Sequence, residues 1–215
     1  MAKLDIIVAH YNEPWEVGEK FFQMLDLQRD IDFSDIHVII VHDGIENGLD
    51  DTHFSGRPYA VDQIKIEHGG ISAARNAGIE AATAEWICFC DFDDMFSNVY
   101  SLRNILNVLP APQYDILWGE FYAENKCLDG KMKVFVRGEN LVFIHGKFYR
   151  RSFLNKYNLR FDTALSFNED SAFNSIANTI IDYKRIGQIK TESPIYVWSF
   201  RENSATTDPE NRSKA

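Results

Sequence analysis

The stretch that decides the fold is Trp86-Ile87-Cys88-Phe89-Cys90-Asp91-Phe92-Asp93-Asp94. Its first five residues are apolar or aromatic, as is typical of a strand that is buried on both faces. Three carboxylates follow where such a strand returns to the surface. Carboxylates this close raise one another's pKa unless a cation lies among them, and hard oxygen ligands on a short loop suit Mg²⁺ or Mn²⁺. The alternative is that Asp91 and Asp94 only cap the helix that follows.

Apolar strands and helical segments alternate through the first half of the chain. The pattern predicts strands at Leu4–Ala9, Ile36–Val41 and Ile64–Glu67, and helices at Trp15–Leu27 and Ile71–Ala84. Continuous apolar strands separated by helices are typical of a mostly parallel sheet that is covered on both faces. The sequence therefore predicts an α/β fold.

The second half of the chain has a different pattern. It predicts strands at Tyr114–Ala123, Lys131–Val136 and Ile195–Phe200, with a turn at Leu128-Asp129-Gly130, and helices at Asn98–Val108, Phe148–Tyr157 and Ser171–Ile181. Longer alternating strands indicate a smaller mixed or antiparallel part. Because no linker divides the chain, we expect one domain over residues 1–215, with halves at about 1–97 and 98–202 and a mobile polar tail at 203–215.

Composition excludes several classes of protein. The net charge of -10 over 215 residues argues against a nucleic-acid surface. No stretch approaches eighteen apolar residues, so we expect neither a membrane span nor a signal peptide. Two of the three cysteines, Cys88 and Cys90, lie on the same side of one strand and are expected in the core. A reducing, cytoplasmic compartment is therefore the expected location.

Polar residues follow each of the main predicted strands. His10-Tyr11-Asn12 comes after the first strand, His42-Asp43-Gly44 after the second and Asp91-Phe92-Asp93-Asp94 after the fourth. Open parallel sheets bind ligands at the carboxyl ends of their strands. These groups are therefore expected to converge on one edge of the sheet.

The chain resembles the family 2 glycosyltransferases of the GT-A fold. The matching blocks are Ile7 to Glu13, Val41 to Gly44, Gly70 to Gly78, Asp91 to Asp94, Gly146 to Leu154, Asn168 to Asp170 and Arg201 to Ser204. They cover almost the whole chain in the order and spacing of the family. The Ser-Ala-Ala-Arg-Asn-Ala-Gly block and the Asp-x-Asp-Asp block are specific as a pair.

The resemblance implies that the first half holds a nucleoside diphosphate sugar, with a UDP-sugar favoured by family prevalence alone. His10 and Asp43 match positions near the base and ribose, Arg75 matches a donor contact, and Arg201 matches a basic position that contacts the diphosphate. From the residues alone, Asp43 could lie in a simple turn, His10 could be a packing residue, and both arginines could be surface charges.

Asp91 and Asp93 match the Asp-x-Asp motif of the family. The resemblance implies that Asp93 ligates Mn²⁺ or Mg²⁺ directly, and that Asp91 supports the ribose or a metal-bound water. Such a cation stabilises the negative charge that develops on the leaving diphosphate.

The acceptor is expected in the second half of the chain, as a saccharide or another molecule that bears a hydroxyl. Asp170 matches the general base that takes the proton of the attacking hydroxyl, and Glu169 would orient a neighbour. Asp170 could also act as a helix N-cap. His145 stands near the acceptor, where the family commonly has Trp. Inversion at the anomeric carbon is implied by the family.

Three other functions fit parts of the sequence. An apolar strand followed by Asp-x-Asp also opens the haloacid-dehalogenase-type phosphatases, in which Asp91 would be the nucleophile and Asp93 the acid/base. That signature normally follows the first strand, and here it follows the fourth. A nucleotidyltransferase would need a Gly-rich basic loop after the first strand, where His10-Tyr11-Asn12-Glu13-Pro14 stands. A non-catalytic nucleotide-sugar-binding module would not need Asp170.

Overall fold

The strand that precedes the three carboxylates lies in the middle of a seven-stranded sheet in a computed structural model of the chain. The structure describes residues 1–44, 46, 48–127, 129–138 and 142–202. The strands are β1 (Leu4–His10), β2 (Ile36–Asp43), β3 (Ala60–Ile66), β4 (Trp86–Asp91), β5 (Met95–Phe96), β6 (Ile116–Trp118), β7 (Phe121–Lys126), β8 (Met132–Arg137), β9 (Lys147–Arg150), β10 (Ile186–Gln188) and β11 (Tyr196–Trp198). The helices are α1 (Trp15–Asp26), α2 (Gly70–Ala81), α3 (Ser101–Leu106), α4 (Arg151–Lys156) and α5 (Glu169–Ile180).

The large sheet has the strand order β10-β6-β9-β4-β1-β2-β3. Its strands run parallel except β9, which pairs antiparallel with both β4 and β6. The predicted mostly parallel α/β sheet is confirmed. Because β1, β2 and β4 are adjacent and parallel, their carboxyl ends meet at one edge.

Both faces of the large sheet are covered. Along β4, Trp86, Cys88 and Cys90 face one apolar cluster, whereas Ile87 and Phe89 face the other. The first cluster includes Phe21, Phe22 and Leu25 of α1, and the second includes side chains of α2 and α5. Burial on both faces explains why these strands are continuous apolar runs. It also confirms that Cys88 and Cys90 share one side in the core.

A second sheet covers one side of the candidate site. It has four strands in the order β5-β11-β7-β8, of which β11 and β7 are parallel and the other pairs antiparallel. This is the smaller mixed part that the alternating pattern of the second half predicts. The hydrogen bond from Ser97 N to Ile195 O extends the antiparallel pairing of β5 and β11 by one residue.

Two predictions of secondary structure were wrong. The predicted strand Tyr114–Ala123 is two strands, β6 and β7, which lie in different sheets. The chain bends at Gly119, whose N–H donates to Gly146 O over 2.9 Å, and a Cβ there would lie 2.4 Å from Ile195 Cδ1. The close approach of Ile195 therefore requires glycine at the bend.

The predicted helix Phe148–Tyr157 begins as a strand. Residues 147–150 form β9, and the helix α4 covers only Arg151–Lys156. Phe148 and Tyr149 are both buried because they point to opposite faces of the large sheet. A short apolar run of this kind does not distinguish a strand from a buried helix, which explains the error.

Three predictions fall wholly or partly outside the described residues. They are the polar tail at 203–215, the last two residues of the Arg201 to Ser204 block, and Leu128 in the predicted turn. Within the described ranges, no helix is both long enough and apolar enough to span a membrane.

Candidate active site

A buried arginine connects the acidic loop, which we define as Asp91 to Asp94, to the start of α5. Arg75 Nη2 lies 2.9 Å from Asp91 Oδ1, and Arg75 Nη1 lies 2.9 Å from Glu169 Oε1. The Arg75 side chain is 4% exposed. Although burial disfavours its charge, Asp91 and Glu169 raise the pKa of Arg75. This side chain holds Asp91, at the end of β4, next to the segment that carries Asp170.

The same contact fixes the charge of Asp91. Burial raises the pKa of a carboxyl group, but here Arg75 and His145 outweigh it and hold the pKa of Asp91 well below its usual value. Asp91 is therefore a carboxylate at neutral pH.

Asp93 makes a separate ion pair on the same loop. Arg201 donates from Nε to Asp93 Oδ2 over 2.6 Å and from Nη2 to Glu13 Oε1 over 3.2 Å. Burial and the neighbouring Asp91 raise the pKa of Asp93, and Arg201 opposes them. The predicted metal ligand and the predicted diphosphate contact are therefore direct neighbours.

Asp94 is the most deeply buried of the three carboxylates. It accepts from the hydroxyl of Tyr196 and from Ser199 N, over 2.8 Å in each case. Burial, Asp91 and Asp93 raise its pKa well above the usual value. Asp94 thus ties the acidic loop to β11 and the segment after it, a role that its position in the sequence does not reveal.

His145 lies beside these acids. Its Nε2 is 3.7 Å from Asp91 Oδ2 and 3.6 Å from Asp94 Oδ2, distances that are too long for hydrogen bonds. Among the described residues, neither ring nitrogen has a hydrogen-bond partner, although the side chain is only 7% exposed. The ring stacks on Trp198, with centroids 5.1 Å apart. Two buried ring nitrogens without a protein partner are available to a water, an ion or a ligand.

These residues suit a divalent cation. Among the described residues, Asp91, Asp94 and His145 form a group whose potential ligand atoms lie within 4.8 Å of one another. Asp93 is not part of that group because its carboxylate faces Arg201. Carboxylates and an imidazole are ligands that Mn²⁺ accepts, and carboxylates alone suit Mg²⁺. The orphaned nitrogens of His145 and the raised pKa of Asp93 and Asp94 are features that a bound cation would relieve.

Asp43 lies at the carboxyl end of β2 and holds the start of α2. It accepts from Gly69 N over 2.7 Å and from Gly70 N over 2.9 Å, and His68 Nδ1 lies 2.8 Å from its Oδ2. Gly70 has φ of 83°, a backbone conformation that favours glycine. The ring of His68 stacks on Tyr11, with centroids 4.8 Å apart, and both rings are exposed. An exposed aromatic pair beside a carboxylate is suitable for binding a nucleobase.

His10 belongs to a buried hydrogen-bonded chain behind this edge. His10 Nδ1 lies 2.8 Å from His42 Nδ1, and His42 Nε2 lies 2.7 Å from Gln63 Oε1. The other nitrogen of His10 contacts Glu13 O at 2.8 Å. Burial lowers the pKa of His42 to about 4, so this ring is neutral at pH 7. The structure thus places His10 close to the edge, with both ring nitrogens engaged within the protein.

Asp170 lies in the first turn of α5, next to Glu169. Its Oδ1 accepts from Ser171 N over 2.7 Å, within that turn. The N-cap position is occupied by Asn168, which has φ of 59°, an uncommon value for a residue other than glycine. The interpretation of Asp170 as a helix N-cap is therefore wrong, and its interpretation as a base stays a prediction.

A lysine that the sequence analysis did not select faces the same helix. Lys147 is on β9, two residues before Tyr149, so the two side chains share a face. The Tyr149 hydroxyl donates to Asn174 of α5 over 2.7 Å. Lys147 is 7% exposed, and its ammonium has no hydrogen-bond partner in the part of the chain that the structure describes. Burial lowers the pKa of Lys147 to about 7, against the influence of Asp170. Its burial depends on β9, which the sequence analysis had assigned to a helix.

The fold, together with the carboxylates at the carboxyl ends of β2 and β4, defines the class of protein. It is an α/β protein of the GT-A type. The family described as "Glycosyl transferase family 2" matches residues 5–169. The chain belongs to this family. The matched region contains β1, β2, β4, the acidic loop and the start of α5, as the resemblance implies.

Individual relatives agree with the family. Over 228 aligned residues the chain is 28% identical to a Bacillus subtilis (strain 168) protein named "Uncharacterized glycosyltransferase EpsJ", covering 96% of this chain and 63% of the relative. Among solved structures, residues 1–349 of TarS from S. aureus match with a TM-score of 0.71 at 20% identity, covering 91% of this chain and 60% of that one. The chain thus spans less than two thirds of the length of these relatives.

Two further solved structures contain ligands. The same TarS fragment was solved in complex with UDP-GlcNAc and matches with a TM-score of 0.66 at 21% identity, covering 94% of this chain and 60% of that one. The mannosyltransferase PcManGT from Pyrobaculum calidifontis, in complex with GDP-Man and Mn²⁺, matches with a TM-score of 0.65 at 16% identity, covering 94% and 58%. At these identities the likeness establishes the shared fold.

Proposed function

We propose that the protein transfers a sugar from a nucleoside diphosphate sugar to an acceptor hydroxyl, with a divalent cation, and with inversion at the anomeric carbon. The observation that carries this proposal is the bridge made by Arg75. It joins Asp91, on the donor side, to Glu169, the neighbour of the candidate base Asp170. A transferase needs the donor diphosphate and the acceptor hydroxyl at adjacent places, and this contact fixes the two sides relative to each other.

We infer one GT-A domain over residues 1–215, with the donor side in about 1–97 and the acceptor side in 98–202. Asp43, Tyr11 and His68 support a nucleobase and ribose site at the ends of β1 and β2. His10 lies behind that site and is proposed to position it. We favour a UDP-sugar because a structural relative was solved with UDP and with UDP-GlcNAc.

Mn²⁺ or Mg²⁺ would be held by Asp91, with His145 beside it, and by Asp93 once its carboxylate exchanges Arg201 for the cation. When bound, the cation supplies positive charge against the leaving diphosphate. Arg201 would add a second positive charge there, because its guanidinium already lies within hydrogen-bond distance of Asp93. Arg75 keeps Asp91 ionised, and Asp94 keeps the loop on the small sheet.

Asp170 would take the proton of the acceptor hydroxyl as that oxygen attacks the anomeric carbon from the side opposite the diphosphate. A single displacement of this kind inverts the anomeric configuration. Glu169, held by Arg75, would fix the backbone of the first turn of α5. The acceptor would be a saccharide or another hydroxyl-bearing molecule, with His145 and Trp198 on its side of the site.

We propose that the protein functions in the reducing environment of the cytoplasm. The three cysteines are free, and two of them are buried in the core. Free, buried thiols are common in proteins of reducing compartments, whereas disulfides form and persist in oxidising ones.

A phosphatase of the haloacid-dehalogenase type is less well supported. In that reaction Asp91 would attack a phosphorus atom, but its Oδ1 is bound to Arg75 and the acidic loop follows the fourth strand. A non-catalytic binding module is less well supported because Asp170 lies next to the donor side.

The test is a thermal-shift panel of UDP, GDP, dTDP and CMP, each with Mn²⁺ and with a chelator. A ligand that binds only the native state raises the melting temperature by mass action. We expect the largest shift with UDP and Mn²⁺, and we expect the Asp93→Asn variant to lose it. The control is Asp30→Asn, which removes an exposed carboxylate that is also paired with an arginine, 3.2 Å away.

Two results would contradict the proposal. If no nucleotide shifts the melting temperature with either additive, the donor site is wrong. If hydrolysis of simple phosphate monoesters depends on Asp91, the phosphatase is favoured instead. The anomeric configuration of the product, followed by proton NMR, tests inversion separately.

A further inference from the structure

Glu13 joins the loop after β1 to the end of the described chain. It lies in the short loop between β1 and α1, three residues after His10. Its Oε2 accepts from Tyr11 N over 3.0 Å, and its Oε1 accepts from Arg201 Nη2 over 3.2 Å. Its main-chain oxygen lies 2.8 Å from His10 Nε2. Glu13 therefore contacts three residues to which the proposed function assigns the nucleoside diphosphate.

The main chain and the side chain of Glu13 are both held in place. His10, which contacts the main-chain oxygen of Glu13, is itself hydrogen-bonded to the buried His42. The next residue, Pro14, has φ of -68° and is the N-cap of α1, and the proline ring fixes this angle. The Glu13 side chain is 21% exposed, and each of its carboxylate oxygens accepts a hydrogen bond. Glu13 is therefore suited to act as a fixed anchor.

Arg201 uses different nitrogens for its two carboxylates. Nε donates to Asp93 and Nη2 donates to Glu13, so one contact can break while the other remains. A guanidinium presents its donors in a rigid planar fork, which lets it contact two acceptors at once. Although burial disfavours its charge, Asp93 and Glu13 raise the pKa of Arg201. Arg201 is thus a cation that two carboxylates hold from different sides of its fork.

The two carboxylates differ in what the proposed function requires of them. Asp93 is assigned to the cation, and its carboxylate must leave Arg201 to bind it. Glu13 is not part of the group of described residues whose potential ligand atoms lie within 4.8 Å of one another, which is Asp91, Asp94 and His145. Glu13 is therefore the carboxylate that can keep Arg201 at the candidate donor site after Asp93 has turned to the cation.

We propose that Glu13 is a positioning residue for the donor, which keeps Arg201 Nη2 in place while Arg201 Nε exchanges Asp93 for the diphosphate of a nucleoside diphosphate sugar. This inference rests on the proposed function, because the diphosphate and the cation belong to it. Glu13 acts through the guanidinium and does not itself contact the donor. The exchange changes hydrogen-bond partners only and involves no covalent step.

The sign of the effect distinguishes positioning from simple electrostatics. A carboxylate near a diphosphate repels it, so removal of the Glu13 charge should strengthen nucleotide binding if the side chain had no other role. Loss of the anchor for Arg201 should weaken nucleotide binding. In Glu13→Gln the amide has one acceptor oxygen for two donors, Tyr11 N and Arg201 Nη2. Because the contact with Tyr11 is local to the loop, we expect the oxygen to stay there and the contact with Arg201 to be lost.

The experiment is a double-mutant cycle on the full chain, followed by isothermal titration calorimetry with UDP in saturating Mn²⁺. Its members are the unmodified protein, Glu13→Gln, Arg201→Gln and the double variant. We expect Glu13→Gln to bind UDP roughly fivefold less tightly. In the Arg201→Gln background the same substitution should no longer weaken UDP binding, because its effect passes through the guanidinium. Uridine, which has no phosphate, should bind Glu13→Gln as it binds the unmodified protein.

The matched control is Glu80→Gln. It removes the charge of another glutamate that is bound to an arginine, since Arg160 Nε donates to Glu80 Oε1 over 2.8 Å. Glu80 is in the last turn of α2, whereas Gly70, at the start of that helix, is bound to Asp43 at the candidate donor site. Glu80→Gln should leave the affinities for UDP and for uridine unchanged.

Every outcome of the cycle supports or overturns the role of Glu13. An equal or higher affinity of Glu13→Gln for UDP overturns the proposal, and so does an undiminished loss of affinity in the Arg201→Gln background. Equal weakening of UDP and uridine binding assigns Glu13 to the support of Tyr11 and also overturns it. If the unmodified protein binds UDP and only these expectations fail, the proposed function stands. If it does not bind UDP, the donor site and this inference fail together.

Discussion

Arg201 donates from Nε to Asp93 Oδ2 over 2.6 Å, although the two residues are 108 positions apart in the sequence. The contact closes the candidate donor site with a residue from the end of the described chain. It also gives Asp93 a cationic partner, with which a metal ion at the proposed site would compete for the same carboxylate. A diphosphate bound as we propose would give the guanidinium an anion to contact in place of Asp93.

Replacing Arg201 should therefore have opposite effects on the affinity for the metal ion and on the affinity for the nucleotide. In Arg201→Gln, we expect Mn²⁺ to bind more tightly to the nucleotide-free protein, because Asp93 loses its competitor. We expect UDP in saturating Mn²⁺ to bind about tenfold less tightly, because a charge-assisted hydrogen bond to the diphosphate is lost. Isothermal titration calorimetry measures both affinities.

The control for that variant is Arg103→Gln. It also frees an aspartate, Asp30, from an arginine 3.2 Å away, but at an exposed site far from the acidic loop along the chain. It should leave both affinities as they are. Unchanged metal and nucleotide binding in Arg201→Gln would exclude Arg201 from the donor site.

The framework of the fold follows from local sequence pattern. β1, β2 and β4 are continuous apolar runs because both faces of the large sheet are buried, and burial on both faces is visible in composition alone. β9 was missed because a strand of four residues has too short a pattern, and its place between β4 and β6 depends on residues far along the chain. The bend at Gly119 was missed because the side chain that packs against this glycine, Ile195, is 76 positions away.

The candidate site was predictable to a similar extent. Parallel neighbouring strands end at one edge, so the convergence of Asp43, Asp91 and Asp93 follows from the predicted topology. The contact between Arg75 and Glu169 joins residues 94 positions apart, and no local signal in either segment indicates it. Lys147 looks like an ordinary surface lysine until β9 and α5 bury it.

Arg75 is expected to be important for stability as well as for the site. In Arg75→Met, Asp91 and Glu169 lose the guanidinium that compensates them in a largely buried setting. Removing one partner from a buried ion pair typically costs about 3 to 5 kcal/mol of unfolding free energy. Urea unfolding followed by circular dichroism measures the change.

The matched variant for Arg75→Met is Arg103→Met, which breaks an exposed pair. In the unmodified protein the Arg103 and Asp30 side chains are 38% and 66% exposed. We therefore expect Arg103→Met to lose no more than about 1 kcal/mol of unfolding free energy. If the two variants have the same urea midpoint, the bridge does not stabilise the fold.

Two histidines should shift the acid stability of the protein in opposite directions. Burial lowers the pKa of His42 from the unfolded value of 6.5 to about 4, so the unfolded state binds more protons between these two pH values. The contribution of His42 therefore falls as the pH is lowered through this window, by of order 2 kcal/mol. When the pH is lowered from about 7 to about 5, the unfolding free energy of His42→Gln should therefore fall by less than that of the unmodified protein.

His37 gives the opposite case. Its hydrogen bond to Asp5, at 3.0 Å, outweighs burial and raises its pKa, so its contribution is full below 6.5 and is lost as the pH rises through the folded value. His37→Gln should therefore lose more unfolding free energy on acidification than the unmodified protein. Urea midpoints at the two pH values measure both effects. Shifts of the same sign in the two variants would contradict the assignment.

Asp170→Asn separates donor binding from transfer. The amide keeps the shape of the carboxylate and can still accept from Ser171 N, so α5 should begin at the same residue and the thermal shift with UDP and Mn²⁺ should persist. An amide cannot take the proton of the acceptor hydroxyl, and loss of a general base typically slows turnover by about 10² to 10⁴. Release of UDP in the presence of acceptor measures the rate. The control is Asp162→Asn, which changes an exposed carboxylate that accepts from Ala164 N over 2.9 Å in a turn outside the helices, and it should retain full turnover. Because both substitutions replace one oxygen of a carboxylate by an amide nitrogen, equal turnover in the two variants would exclude Asp170 as the base, which would then have to be sought in another residue.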